Sequence, residues 1–99
     1  MIVVDLRSDA EAIDDPIPGA LRVRVPKPPL DAAQIFVMAA TLLQLPRQRQ
    51  MALVCTKGVR ANLAHAIMSQ AGYSVTNIGG MAHPHTRIML RRLGYPVDR

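Results

Sequence analysis

The sequence predicts an α/β fold: a mostly parallel sheet of about four to five strands with helices on both faces. Three observations carry that prediction. Short runs rich in Val, Ile and Leu alternate along the chain with longer segments of helical periodicity. The 99 residues give room for one domain, spanning residues 1–99. A composition that is 49% hydrophobic and 19% charged belongs to a packed globular chain and excludes a disordered one.

The elements follow in order. Ile2-Val3-Val4 reads as a buried strand ending in Asp5-Leu6-Arg7. Ser8-Asp9-Ala10-Glu11 is a capping box and opens a short helix. Asp14-Asp15-Pro16-Ile17-Pro18-Gly19 must turn, because its prolines forbid helix. Leu21 to Val25 alternates with period two, a strand signal, and Pro26-Lys27-Pro28-Pro29 is a rigid connector. Asp31 caps a helix running to about Leu45, with Gln34 completing a second box and Pro46 as the stop. Ala52 to Cys55 is a buried strand, followed by a helix from Ala61 to Ala71 that Gly72 ends. Tyr73 to Ile78 is the last strand, closed by Gly79-Gly80, and a final helix covers about Arg87–Leu93.

One helix stands out. Between Ala32 and Leu45 the only polar residues are Gln34, Thr41 and Gln44, which fall in one narrow stripe. Ile35, Met38, Ala39 and Leu42 face the sheet, leaving Phe36, Ala40 and Leu43 to carry the apolar surface round the side. A helix so apolar needs cover on more than one side. The connector or the C-terminal tail would supply it, or else a second copy in a homodimer or the rest of a larger protein.

The net charge of +5 is unevenly placed. Residues 1–50 balance, whereas Lys57, Arg60, Arg87, Arg91, Arg92 and Arg99 face only Asp98 in the second half. That asymmetry favours an anionic partner. With one Phe, two Tyr and no Trp there are few stacking platforms, so a small anion is expected rather than nucleic acid. The longest apolar stretch falls short of the ~20 residues of a membrane span, and Asp5 interrupts any signal-peptide run. The chain is therefore expected to be cytoplasmic. One cysteine excludes an internal disulfide and suits a reducing compartment. His65, His83 and His85 lack the spacing of good ligand pairs and read as surface residues, so no metal or cofactor is expected.

Cys55 is the focus of the chemistry. Lys57 and Arg60 place two cations within five residues of it, and Gly58 allows the backbone to curl. The next helix starts nearby, so its orphan N–H groups and positive end point back at the sulfur. Each feature favours thiolate over thiol, giving an anion cradle with a nucleophile at its base. Asp5 pairs with Arg7 or orders this loop. Phosphatase-type loops need five residues between Cys and Arg, and position 61 is alanine.

Cys55-Thr56-Lys57-Gly58-Val59-Arg60 resembles the active-site loop of the rhodanese (sulfurtransferase) family. Val3-Val4-Asp5-Leu6-Arg7, Ile17-Pro18-Gly19-Ala20, Ala71-Gly72-Tyr73 with Ile78-Gly79-Gly80-Met81, and Gly94-Tyr95-Pro96-Val97 are similar to further landmarks of that family, in the same order. The chain departs from the pattern in starting inside the Asp-x-Arg strand, so the family's N-terminal edge strand is expected to be missing. Asp15-Pro16 stands in place of Gly-His, and Ala82 to Arg87 in place of a usual tryptophan segment, which bears on the pocket rim and substrate choice.

The resemblance implies that the Cys55 thiolate takes the outer sulfur of thiosulfate or a similar donor and holds it as a persulfide. An external thiol, or cyanide, then removes it. Residues Thr56, Lys57, Gly58, Val59 and Arg60 would bind the donor through backbone amides and the two cations, with Asp5 and Arg7 behind them. The competing expectation is a non-catalytic rhodanese-like interaction or sensor module that retains Cys55.

Overall fold

Ile2–Asp5 (β1), Leu21–Arg22 (β2), Met51–Cys55 (β3) and Val75–Gly80 (β4) are strands in the computed structural model, which describes residues 1–98. They form one sheet in the order β2-β1-β3-β4, and every pairing is parallel. The helices are Asp9–Asp14 (α1), Ala32–Leu42 (α2), Val59–Gln70 (α3) and Pro84–Arg92 (α4). Among the described residues β2 and β4 form the sheet's two edges.

Parallel strands are buried on both faces, which is why β3 reads as an unbroken apolar run and all five of its residues are buried. Strand alternation sorts the side chains between two cores. On one face Val4, Leu53 and Cys55 pack with Met38 and Leu42 of α2 and Ala61, Ala64 and Met68 of α3. On the other, Val3, Ala52, Val54 and Ile78 meet Leu90 of α4 and Val97 of the tail. The register sets Val4 opposite both Leu21 and Leu53 and Asp5 opposite Val54, so Asp5 and Cys55, the last residues of β1 and β3, both stand at the carboxyl end of the sheet.

Several boundaries differ from those the sequence suggests. Only Leu21–Arg22 pairs within the expected strand to Val25, because β1 ends at Asp5 and the ladder stops after Val23 donates to the Asp5 carbonyl at 3.0 Å. Val23 and Val25 remain buried with Arg24 exposed, so the alternation is kept without the ladder. Helix α2 ends at Leu42, where the backbone tightens into Gln44→Thr41 and Leu45→Leu42 hydrogen bonds. Tyr73 closes the turn that follows α3, its N–H donating to the Met68 carbonyl at 3.0 Å, so β4 begins at Val75 and runs on through Gly80. Helix α4 starts at Pro84, whose fixed φ suits a first helical position.

Among the described residues neither the connector nor the tail covers the outer face of α2: Phe36 is 75% exposed and Val37 62%. No helix among the described residues is long and apolar enough to cross a membrane.

Candidate active site at the carboxyl end of the sheet

Cys55 is the last residue of β3, and the chain turns through residues 56–58 directly into α3. Gly58 makes that turn with φ of 98°, a conformation an L side chain rarely adopts. Its N–H donates to Cys55 Sγ at 3.1 Å, and the N–H of Ala61 donates to the same sulfur at 3.4 Å. Both belong to the start of a helix, where the first amides have no intrahelical acceptor and the dipole end is positive. Cys55 is 1% exposed, and its sulfur thus sits in backbone donors suited to an anion. The donor set reaches one residue past the expected 56–60 loop, to Ala61.

Strand β4 fixes the loop from behind. The N–H groups of Met81 and Ala82 donate to the Cys55 and Thr56 carbonyls at 2.7 and 2.9 Å. A Cβ at Gly80 would stand 2.2 Å from the Thr56 oxygen and 2.7 Å from the Lys57 nitrogen. The contact is backbone against backbone, so only glycine fits without moving the loop.

A carboxylate from α1 completes the floor. Glu11 Oε1 accepts from Arg60 Nη1 at 2.8 Å and from the Ser8 hydroxyl at 2.7 Å, while Oε2 accepts from Arg60 Nη2 at 2.7 Å and from the Thr56 hydroxyl. The Arg60 guanidinium, aided by Thr56 and Ser8, outweighs desolvation and holds the Glu11 carboxyl well below the usual carboxylate range. Burial works against the Arg60 charge, but the hydrogen bonds and attraction of Glu11 overcome it and raise its pKa above the ordinary arginine value. Arg60, expected as a donor-binding cation beside Lys57, is 3% exposed and has its fork turned to Glu11, with Nη1 also reaching the Val25 carbonyl at 3.0 Å. A bidentate pair of this kind has little charge left over for a ligand.

Beneath it lies a second buried pair. Asp5 Oδ1 accepts from Arg7 Nε at 2.9 Å and Oδ2 from Arg7 Nη2 at 3.0 Å, with Arg22 Nε 3.7 Å from Oδ2. Arg22 Nη2 donates to the Arg7 carbonyl at 2.6 Å, tying β2 to the turn after β1.

Above the sulfur opens a cavity of about 540 Å³. Cys55, Thr56, Lys57, Val59, Arg60 and Arg7 all line it, so six of the eight residues singled out by sequence come together. Gly58 contributes its amide, and Asp5 acts from below through Arg7. Sequence reading missed Glu11, Gly80, Met81 and Lys27 at this site. Glu11 was visible only as a helix cap, and its second role spans 49 residues of separation. Gly79-Gly80 was visible as a strand stop, with no sign of what it abuts. Arg87 and Asp15 pair at the rim, joining α4 to the turn after α1. Among the described residues no group of His, Cys, Asp and Glu is placed to hold a metal ion.

Comparison with known proteins agrees with this architecture. A rhodanese-related protein of Thermoplasma volcanium superposes with a TM-score of 0.67 at 23% identity, covering 98% of this chain and 82% of that one. A protein of Staphylococcus saprophyticus gives 0.64 at 23% identity, over 83% of this chain and 73% of its own. At such identity the likeness is one of fold. No curated protein matches the chain. The family model of the rhodanese-like domain matches residues 1–83, which hold β1 to β4, the Cys55 loop and its glycine support, and the chain belongs to that family.

Proposed function

We propose that this chain is a sulfurtransferase that carries sulfane sulfur as a Cys55 persulfide. The observation that carries the proposal is the sulfur itself, held by two backbone N–H groups at a helix start on the floor of an open cavity. The Cys55 thiolate attacks the outer sulfur of thiosulfate. A new S–S bond forms as the donor's S–S bond breaks, and sulfite leaves with the bonding pair. The persulfide anion keeps the amide donors as its stabilising partners. An acceptor thiolate then attacks the outer sulfur, and Cys55 departs as thiolate. Cys55 is the sole cysteine of the sequence, so the acceptor comes from outside. Lys57, exposed on the loop, attracts the dianionic donor, while the Asp5–Arg7 and Glu11–Arg60 pairs hold the loop in shape.

Intact mass after thiosulfate treatment tests the reading: one added sulfur is expected, lost as thiocyanate on adding cyanide. Cys55→Ser should abolish both while keeping the fold. A wild-type mass unchanged by thiosulfate and other sulfane donors would favour the non-catalytic rhodanese-like module instead.

A further inference from the structure

We infer that Lys27, on the connector between β2 and α2, is the second cation of the donor site, acting with Lys57 where Arg60 does not, and that Asp14 opposes them. The inference rests on the sulfurtransferase reading for the identity of the donor, though not for the binding of an anion. Among the described residues five cations line the cavity, and three are committed. Arg7 is paired with Asp5, Arg60 with Glu11 and Arg87 with Asp15. Lys27 and Lys57 are exposed and make no hydrogen bond or ion pair among the described residues. Asp14 shares the same cavity wall and is likewise unpaired.

Lys27 does not reach the cavity by chance of sequence. Arg60 Nη1 holds the Val25 carbonyl at 3.0 Å, and the Val25 side chain is buried, so the connector leaves the core from a point tied to the Cys55 loop. Lys27 follows two residues later, between Pro26 and Pro28, which restrict its backbone and lower the ordering cost of binding. Arg60 is therefore a positioning residue: its own charge is spent on Glu11, and it places the connector that carries the free one.

An exposed ion pair contributes modestly, and a dianion roughly doubles it, so removing one lysine should weaken anion binding about three- to tenfold at low salt. Removing Asp14 should strengthen it about twofold. The opposite signs separate electrostatics from structural damage.

The experiment measures protection of Cys55 from alkylation by iodoacetamide, a neutral reagent. Sulfate serves as the probe, a tetrahedral dianion shaped like thiosulfate that transfers no sulfur. Lys27→Ala and Lys57→Ala should each raise the sulfate concentration needed for half protection, Asp14→Asn should lower it, and Lys27→Arg should restore it. Arg24→Ala, an exposed arginine paired with Asp9, should leave it unchanged. Near 1 M chloride the differences should vanish, because the screening length falls to ~3 Å. For thiosulfate turnover, Lys27→Ala should raise KM with kcat held. No sulfate protection in the wild type, an unaltered constant in Lys27→Ala, or shifts of one sign for Lys27→Ala and Asp14→Asn would overturn the inference. Protection with the expected signs in a protein that thiosulfate fails to load would instead sink the sulfurtransferase reading alone.

Discussion

At the floor of the cavity each charge has a partner within hydrogen-bond reach: Arg7 on Asp5, and Arg60 on Glu11. At the rim, Lys27, Lys57 and Asp14 stand exposed without one among the described residues. The floor is built from backbone donors, buried ion pairs and a glycine contact, all of which fix positions. The rim is built from flexible side chains, which supply charge. The contrast teaches that counting cations near a cysteine overstates the charge a ligand meets, because a buried arginine is usually there to satisfy a carboxylate.

The sharpest way to break this division is to remove the floor's central carboxylate. Glu11→Ala leaves Arg60 buried and unpaired, with an expected loss of about 3–5 kcal/mol in urea unfolding and no sulfur loading. The same pair sets a pH dependence. Its depressed carboxyl makes the contribution fully present above the ordinary value of 4.5 and progressively lost as pH falls below that. The stability gap between wild type and Glu11→Gln should therefore hold constant from pH 8 to about 5 and shrink in stronger acid.

Gly80→Ala comes next. The added methyl must displace the Thr56–Lys57 peptide, with an expected cost of about 1–3 kcal/mol and a kcat that falls more than KM rises. Thermal melting and steady-state kinetics with thiosulfate check the two halves. Lys57→Ala probes the rim: KM for thiosulfate should rise several-fold with kcat held, and unfolding should stay within about 0.5 kcal/mol of wild type. Smallest of all is Phe36→Glu, whose side chain stands in solvent on α2. Its free energy of unfolding in urea should match that of wild type within about 0.5 kcal/mol, whereas a large loss would place Phe36 in the core.

What was legible in the sequence follows the range of each signal. The capping boxes of Ser8–Glu11 and Asp31–Gln34 formed as read, because every partner lies within three residues. The order of strands and helices was legible from periodicity, and the Cys55 loop from the residue types packed around one turn. The extent of β2 was not legible, since its ladder depends on where β1 stops rather than on its own alternation. Glu11 was half legible: one oxygen caps α1 as expected, yet both also hold Arg60 from across the fold. Arg60 itself was found for its charge, but its pairing was not legible, because nothing local to residues 55–60 reveals a carboxylate arriving from residue 11.

Among the described residues strand β3 is hydrogen-bonded to a neighbour on both sides, while β4, whose following residues Met81 and Ala82 clasp the Cys55 loop, has a neighbour on one side only. In deuterium-exchange terms Cys55 hangs from a slowly opening unit and its clasp from a faster one. The amides of Ala52 to Val54 should report global unfolding, and those of Met81 and Ala82 a local fraying that frees the loop while the cysteine stays anchored. Exchange at those two amides would then measure how often the cradle relaxes around its sulfur, a quantity independent of the melting temperature of the domain.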